Sequence, residues 1–294
     1  MKSIKASLII NPVAGNRASL SINTIEDLLR GRGVDVNTFI TQKRGDACAF
    51  AKEAPPLDII LAAGGDGTVN EVINGMLASG DKRQADVPLA ILPLGTVNVL
   101  AKELGIPGDL DEAISRVLNG SLQRVSLGNI NGRYFMLMAG IGFDGETVFG
   151  VNRGLAGKLS GRLAYIVSGL RVLMSYPLPA VTVTTPAGKK TGSTVIISNA
   201  RSYGGHFQVA PGASITEPVL HVCLFQGRSR GALLRFILRV MRGTHLSAPD
   251  VNSFCVSECS VTSDEEVRIQ IDGDYFGTLP ARVTIARDVL RLIW

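Results

Sequence analysis

The first ~125 residues alternate short apolar runs with amphipathic stretches. "ASLIINP" (6–12), "LDIILAAG" (57–64) and "PLAILPLG" (88–95) read as buried strands, and "VDVNTFIT" (34–41) alternates like a half-buried one. Residues 19–33, 46–54, 68–77, 96–105 and 109–120 read as the intervening helices, several closed by glycine or proline. Strands that are apolar throughout, each followed by a helix, predict a parallel α/β sheet covered on both faces. Beyond residue 125 the period shortens. Residues 133–143, 180–186, 193–200, 218–226, 265–274 and 282–294 read as strands joined by glycine turns, interrupted by helical stretches at 158–176 and 230–243. That pattern predicts a second, mainly β domain, a sandwich or open barrel. With no repeat and no long linker, an α/β domain over 1–125 and a β domain over 126–285 are expected to pack closely around one cleft.

Composition adds little until charge is mapped along the chain. Hydrophobic residues at 46% and charged residues at 19% describe an ordinary globular protein of 294 residues. No run of ~18 apolar residues predicts a membrane span, and the N-terminus runs into Asn11-Pro12 without a signal-peptide cleavage site. Cys48, Cys223, Cys255 and Cys259 form no CxxC pair and read as reduced thiols of a cytoplasmic protein. The net charge of +5 is unevenly spread: residues 147–249 hold 12 Lys and Arg against the single acid Glu217. Such a segment predicts contact with something anionic, whether nucleic acid, phosphates or a membrane surface. Arg235, Arg239 and Arg242 lie on one face of an otherwise apolar helix, and Lys158 and Arg162 sit one turn apart, which favours an anionic lipid surface. With 5% aromatic residues the chain offers little stacking surface for nucleic acid.

The candidate chemistry sits in turns. In "LAAGGDGTVNEVINGM" (61–76) a buried strand runs through Gly64, Gly65, Asp66 and Gly67 into a helix, an arrangement that offers backbone N–H groups to an anion. Thr68 and Glu71 have the spacing of a capping box. Asp66 cannot itself bind phosphate, so it is expected to hold Mg²⁺ or to orient a hydroxyl. No GxxxxGK[ST] is present. "LPLGTVNVLAKELGIP" (92–107) repeats the strand–turn–helix plan with Thr96 and Asn98 as neutral hydrogen-bonding groups. Gly140, Gly142 and Gly145 spell GxGxxG, yet no carboxylate follows from 147 to 216, so a dinucleotide-binding Rossmann site is rejected. Asp144 between these glycines is expected to face the cleft. Asp272 and Asp274 flank a glycine in "IDGDYFG", a pattern that most often marks a hairpin. His206, His221 and His245 are scattered and read as structural.

Taken in order, "NPVAG" (11–15), "GGDGTVNEVINGM" (64–76), "PLGTVNVLAKELGIP" (93–107), "GIGFDG" (140–145), "YGGHFQVAPGA" (203–213) and "IDGD" (271–274) resemble the diacylglycerol kinase catalytic family, specifically its soluble bacterial lipid kinases. The resemblance implies an α/β nucleotide-binding domain, a β-sandwich lipid-substrate domain, and residues 286–294 returning to the first. It implies ATP as phosphoryl donor, with Asn11, Thr41, Gly64, Gly65, Asp66, Gly67, Thr68, Val69, Asn70 and Thr96 contacting the nucleotide. It also implies that Asp66 works through Mg²⁺, and that the Asp272-Gly273-Asp274 motif supplies the general base. Asp272 is the first choice and Asp274 the second, aspartate standing where the family usually has glutamate. The family's structural Mg²⁺ loop reads here as "APGASITEPVL", which leaves Glu217 with the carbonyls of Ser214 and Val219 as the candidate ligands.

The expected function is therefore phosphorylation of a hydroxyl on diacylglycerol or a related lipid by a cytoplasmic, peripherally membrane-associated kinase. Two rivals are an NAD kinase, which shares the GGDGT turn and the two-domain plan, and a non-catalytic lipid or nucleotide sensor. The oligomeric state is left open between monomer and homodimer.

Overall fold

The computed structural model describes residues 3–15, 22–78, 86–153, 161–203 and 207–294. The expected helix start at residue 19, Lys158 and His206 lie outside the described residues, as does the side chain of Arg162. The chain divides into two compact units, Met1–Ser126 with Arg287–Trp294, and Leu127–Ala286.

In the first unit the parallel strands lie in the order Val34–Ile40, Ile4–Ile10, Ile59–Gly64, Leu89–Pro93, and the end of the strand Ala281–Ile293 adds beside Leu89 and Ala90. Every residue of Ile59–Gly64 and Leu89–Pro93 is buried, as expected of strands covered on both faces. Helices Ile22–Arg30, Asp46–Glu53, Asp66–Ala78, Val99–Glu103 and Leu110–Leu118 connect or flank them. The chain leaves Ile4–Ile10 for one neighbour and later returns to pair on its other side. The carboxyl ends of Ile4–Ile10 and Ile59–Gly64 therefore form a topological switch point, where open α/β sheets bind ligands.

The second unit contains a six-stranded antiparallel sheet in the order Val251–Val256, Leu220–Phe225, Thr194–Ser198, Met138–Ile141, Arg268–Ile271, Asp274–Thr278. A second sheet runs from the start of Ala281–Ile293 through Glu258–Thr262 and Val181–Thr185 to Gly188–Gly192. Val195, Ile197, Val222, Leu224, Ile269 and Ile271 from the first meet Val181, Val183, Val261 and Val283 from the second in one apolar core. The alternate residues Ile196, Cys223 and Phe225 point the other way, where Leu173, Tyr176, Leu233 and Phe236 cover them from helices Gly161–Ser175 and Arg230–Met241 and the segment that follows the first.

The expected strand 133–143 is divided. Arg133–Phe135 and Met138–Ile141 are strands, and the helix Phe143–Asn152 begins within the GxGxxG stretch. The expected capping box is also corrected. The helix begins at Asp66, so Thr68 lies inside it, and Glu71 accepts a hydrogen bond from the Gly45 amide (2.9 Å) at the head of Asp46–Glu53.

Candidate functional site

Three turns leave the sheet of the first unit at the switch point, and they touch. The Asn11 amide donates to the Ala63 carbonyl (2.9 Å), and the amides of Leu94 and Gly95 both donate to the Gly64 carbonyl (3.0 and 3.2 Å). The Asn11 side chain donates to Thr68 Oγ1 (3.3 Å) and accepts from the Val13 amide. A Cβ on Gly95 would lie 2.5 Å from the Gly65 Cα, and one on Gly15 would strike the Leu94 carbonyl. Only residues without side chains let three backbones converge this closely.

Asp66 stands in this junction. Its Oδ2 accepts from the Val99 amide and its Oδ1 from the Leu100 amide, both at 3.0 Å. Asn98 precedes that short helix in a left-handed conformation and makes no side-chain cap bond, so the Asp66 carboxylate from 33 residues earlier caps it instead. The negative charge thus meets the positive end of a neighbouring helix. A carboxylate has about four acceptor positions, and these bonds use two of them. The remainder suits a hydrated cation that arrives with phosphate, since Mg²⁺ keeps waters and takes one or two carboxylates. Among the described residues no group of three or more His, Cys, Asp or Glu side chains forms a metal cage.

The other expected nucleotide contacts fall into two groups. Gly65, Asp66, Gly67 and Thr96 are accessible, whereas Thr68, Val69 and Asn70 are buried beneath the turn, with Asn74 donating to the Asn70 carbonyl. Thr41 is buried at the end of Val34–Ile40, its amide bonded to the Ile10 carbonyl.

In the second unit Asp272 and Gly273 form the two-residue loop between Arg268–Ile271 and Asp274–Thr278, with φ of 49° and 90°. Positive φ at both positions is the conformation for which Asp-Gly is favoured in tight hairpins. The Asp272 carboxylate is turned inward: it accepts from the backbone amides of Met136 (2.9 Å), Leu137 (2.9 Å) and Met138 (3.0 Å). These bonds use three of its roughly four acceptor positions and leave little capacity for a substrate hydroxyl. Asp274, at the start of the next strand, is partly exposed.

Asp144 does not face outward. It lies buried in the first turn of Phe143–Asn152, where Tyr203 donates a short hydrogen bond to Oδ1 and Gln270 Nε2 donates to Oδ2 at 2.6 Å. Gly140 passes directly beneath, and a Cβ there would collide with the Asp144 carboxylate and the Gln270 amide. Burial pushes the Asp144 carboxyl above its usual range, against the pull of the bonds from Tyr203 and Gln270. The Tyr165 hydroxyl is pushed up to about 12, by burial first and then by the charges of Asp144 and Asp274. Residue-type reasoning had no means to find Gln270: it is the polar position between Ile269 and Ile271 on a strand, indistinguishable in sequence from a solvated one.

Ser214 and Glu217 form a tight turn in which the Glu217 amide donates to the Ser214 carbonyl (2.9 Å), and the Glu217 side chain is exposed. His245 is buried with Nε2 against the Val209 carbonyl (2.9 Å), and His221 lies opposite Cys255 across two strands. All four cysteines are free.

On helix Arg230–Met241, Ala232, Leu233, Phe236 and Val240 are buried, but Leu234, Leu238 and Met241 are exposed beside Arg235 and Arg242. Arg239 is partly buried, and Arg235 reaches Asp250 at 3.5 Å. The adjoining helix Gly161–Ser175 exposes Ile166 (57%), Leu170 (57%) and Met174 (71%), one turn apart. No helix among the described residues is long and apolar enough to cross a membrane.

Residues 5–130 match the model of the diacylglycerol kinase catalytic domain, and residues 138–294 match that of the YegS C-terminal NAD kinase beta sandwich-like domain. The chain is 31% identical over 282 residues to a diacylglycerol kinase of Bacillus subtilis (strain 168), covering 94% of this chain and 91% of the relative. It is 28% identical over 283 residues to a diacylglycerol kinase of Staphylococcus saprophyticus, covering 94% and 90%. A solved diacylglycerol kinase structure from Bacillus anthracis str. Sterne superposes with a TM-score of 0.72 at 20% identity, covering 100% of this chain and 98% of that one. Another solved chain from that organism gives 0.80 at 22% identity, with 100% and 98% covered.

Proposed function

Because the chain belongs to the diacylglycerol kinase catalytic-domain family, we propose that it transfers the γ-phosphoryl group of ATP to the hydroxyl of diacylglycerol or a related lipid. Phosphoryl transfer asks the protein mainly for positioning and for stabilisation of phosphate charge. In this reading the backbone amides of the turns at Asn11–Gly15, Gly64–Thr68 and Gly95–Asn98, with the N-terminus of helix Asp66–Ala78, hold the phosphates. Mg²⁺ bound with ATP would neutralise phosphate charge, and Asp66 would meet it with its remaining acceptor positions. The lipid oxygen forms its bond to the γ-phosphorus as the bond to the β–γ bridging oxygen breaks, and ADP departs. The hydroxyl proton goes to a carboxylate within ~3 Å. Asp274 takes this role ahead of Asp272, whose oxygens are occupied by three backbone amides.

The observation that carries the reading is the meeting of three turns through Gly15, Gly65 and Gly95 at the carboxyl edge of the sheet, in a chain matched to the family along both units. Incubation with γ-labelled ATP and either vesicles carrying a panel of lipids or NAD tests it. Label in an extracted lipid, identified by mass spectrometry, is the expected result. Label in the aqueous dinucleotide overturns the reading in favour of an NAD kinase, and no transfer at all favours a sensor.

The lipid must be reached at a surface. Ile166, Leu170, Met174, Leu234, Leu238 and Met241 give two neighbouring helices an exposed apolar face, and the arginines beside it give charge complementary to anionic headgroups. The triple variant I166S/L170S/M174S is expected to sediment with phosphatidylglycerol-containing vesicles roughly tenfold less than the parent chain, by loss of inserted apolar area. Equal sedimentation of both proteins would remove this helix from the docking surface.

A further inference from the structure

The turn that carries the proposed base is itself clamped. Gly273 sits between Asp272 and Asp274 with φ of 90°, and both faces of its flanking peptides are bonded to side chains. Its amide donates to Gln270 Oε1 (2.8 Å), and its carbonyl accepts from the Tyr165 hydroxyl (3.0 Å). Gln270 is 1% exposed, and its other amide atom, Nε2, donates to Asp144 (2.6 Å), which in turn accepts from Tyr203.

The chemistry of this chain fixes its direction. Both Asp144 oxygens accept, Oδ1 from Tyr203 and Oδ2 from Gln270, so the NH₂ face of Gln270 is the one turned to the carboxyl group. With Nε2 committed to Asp144, Oε1 faces the other way, where it accepts from the Gly273 amide. Turned over, the amide would set donor against donor at Gly273 and acceptor against acceptor at Asp144. Asp144 lies 126 residues from Gln270 in sequence, so the fold spends a buried carboxylate, a space cleared by Gly140 and a tyrosine on orienting one side-chain amide.

We propose that Gln270, oriented by Asp144 and Tyr203, and Tyr165 from the opposite side are positioning residues that hold the Gly273 peptide so that Asp274 is aimed at the acceptor hydroxyl. The inference rests on Asp274 as the base of the lipid kinase reaction. Gln270 and Tyr165 act through the backbone and touch no reacting atom. Loosening the turn therefore lowers kcat while the KM for ATP, set in the first unit, stays put.

The test compares four variants of the full chain by steady-state kinetics with γ-labelled ATP and diacylglycerol in mixed micelles. Y165F removes one hydrogen bond on a half-exposed side chain and is expected to lower kcat about three- to tenfold with the KM for ATP unchanged. Q270M is expected to lower it about tenfold or more with the same constancy of KM. D144L removes the acceptor that orients Gln270 and is expected to lower kcat about tenfold with the KM for ATP unchanged; a parental kcat would overturn the role given to Asp144. The fourth variant, D274N, separates this inference from the reading beneath it. If D274N retains full activity the base assignment falls, and the positioning role with it. If D274N is inactive while Y165F and Q270M keep parental kcat, the base stands and the positioning role is overturned. Should Q270M fail to fold, Y165F decides alone.

Discussion

The Asp274→Asn variant is expected to lose about 10²–10⁴ in kcat, the usual contribution of a positioned general base. The isosteric amide keeps the shape of the side chain but cannot take the hydroxyl proton. The hairpin is held by Asp272, Gln270 and Tyr165, so thermal unfolding is expected to move little. The KM for ATP is also expected to hold, because the turns proposed to hold the nucleotide belong to the first unit. Rate measurements at saturating ATP and lipid check this; a kcat within threefold of the parent would exclude Asp274 as the base.

Asp272→Asn is expected to do the opposite. The three amides of Met136, Leu137 and Met138 converge on one carboxylate, and the same loop is held from its other side by Asn199, whose side chain donates to the Met136 carbonyl at 3.0 Å. Charge-assisted bonds to a carboxylate are about twice as strong as neutral ones. An asparagine keeps one acceptor and turns an NH₂ against the remaining donors. The expected cost is about 2–4 kcal/mol, seen as a fall of roughly 5–15 °C in the melting temperature of a domain this size. Calorimetry separates the two aspartates. If D272N melts with the parent protein, the inward carboxylate carries no structural role and returns as the candidate base.

The parallel unit was legible because its strands are apolar throughout: Ile59–Gly64 and Leu89–Pro93 announce themselves as unbroken runs, and each turn follows at once. Most strands and both long helices of the second unit were legible too, but some of its elements were not. Strand Val251–Val256 buries few of its side chains, so no alternation marks it, and Glu258–Thr262 and Leu122–Ile130 were likewise unseen. Helix Phe143–Asn152 was hidden behind glycines that read as a turn. The candidate carboxylates could be named from their motifs, but not their partners. Asp66 caps a helix 33 residues away, and Asp272 bonds amides more than 130 residues earlier. Local sequence carries the residue type and the backbone preference. What a buried carboxylate accepts from is decided by topology.

The three turns Asn11–Gly15, Gly64–Thr68 and Gly95–Asn98 contain no Lys or Arg, so what they offer a phosphate directly is peptide dipoles and neutral side chains. Hydrogen bonds from fixed dipoles act within about 3 Å, far inside the ~8 Å screening length of physiological salt. Attraction between the arginine-bearing helix Arg230–Met241 and anionic headgroups acts across water and is screened. On the proposed function, ionic strength is therefore expected to separate the two substrates: added salt weakens sedimentation with anionic vesicles while the KM for ATP holds.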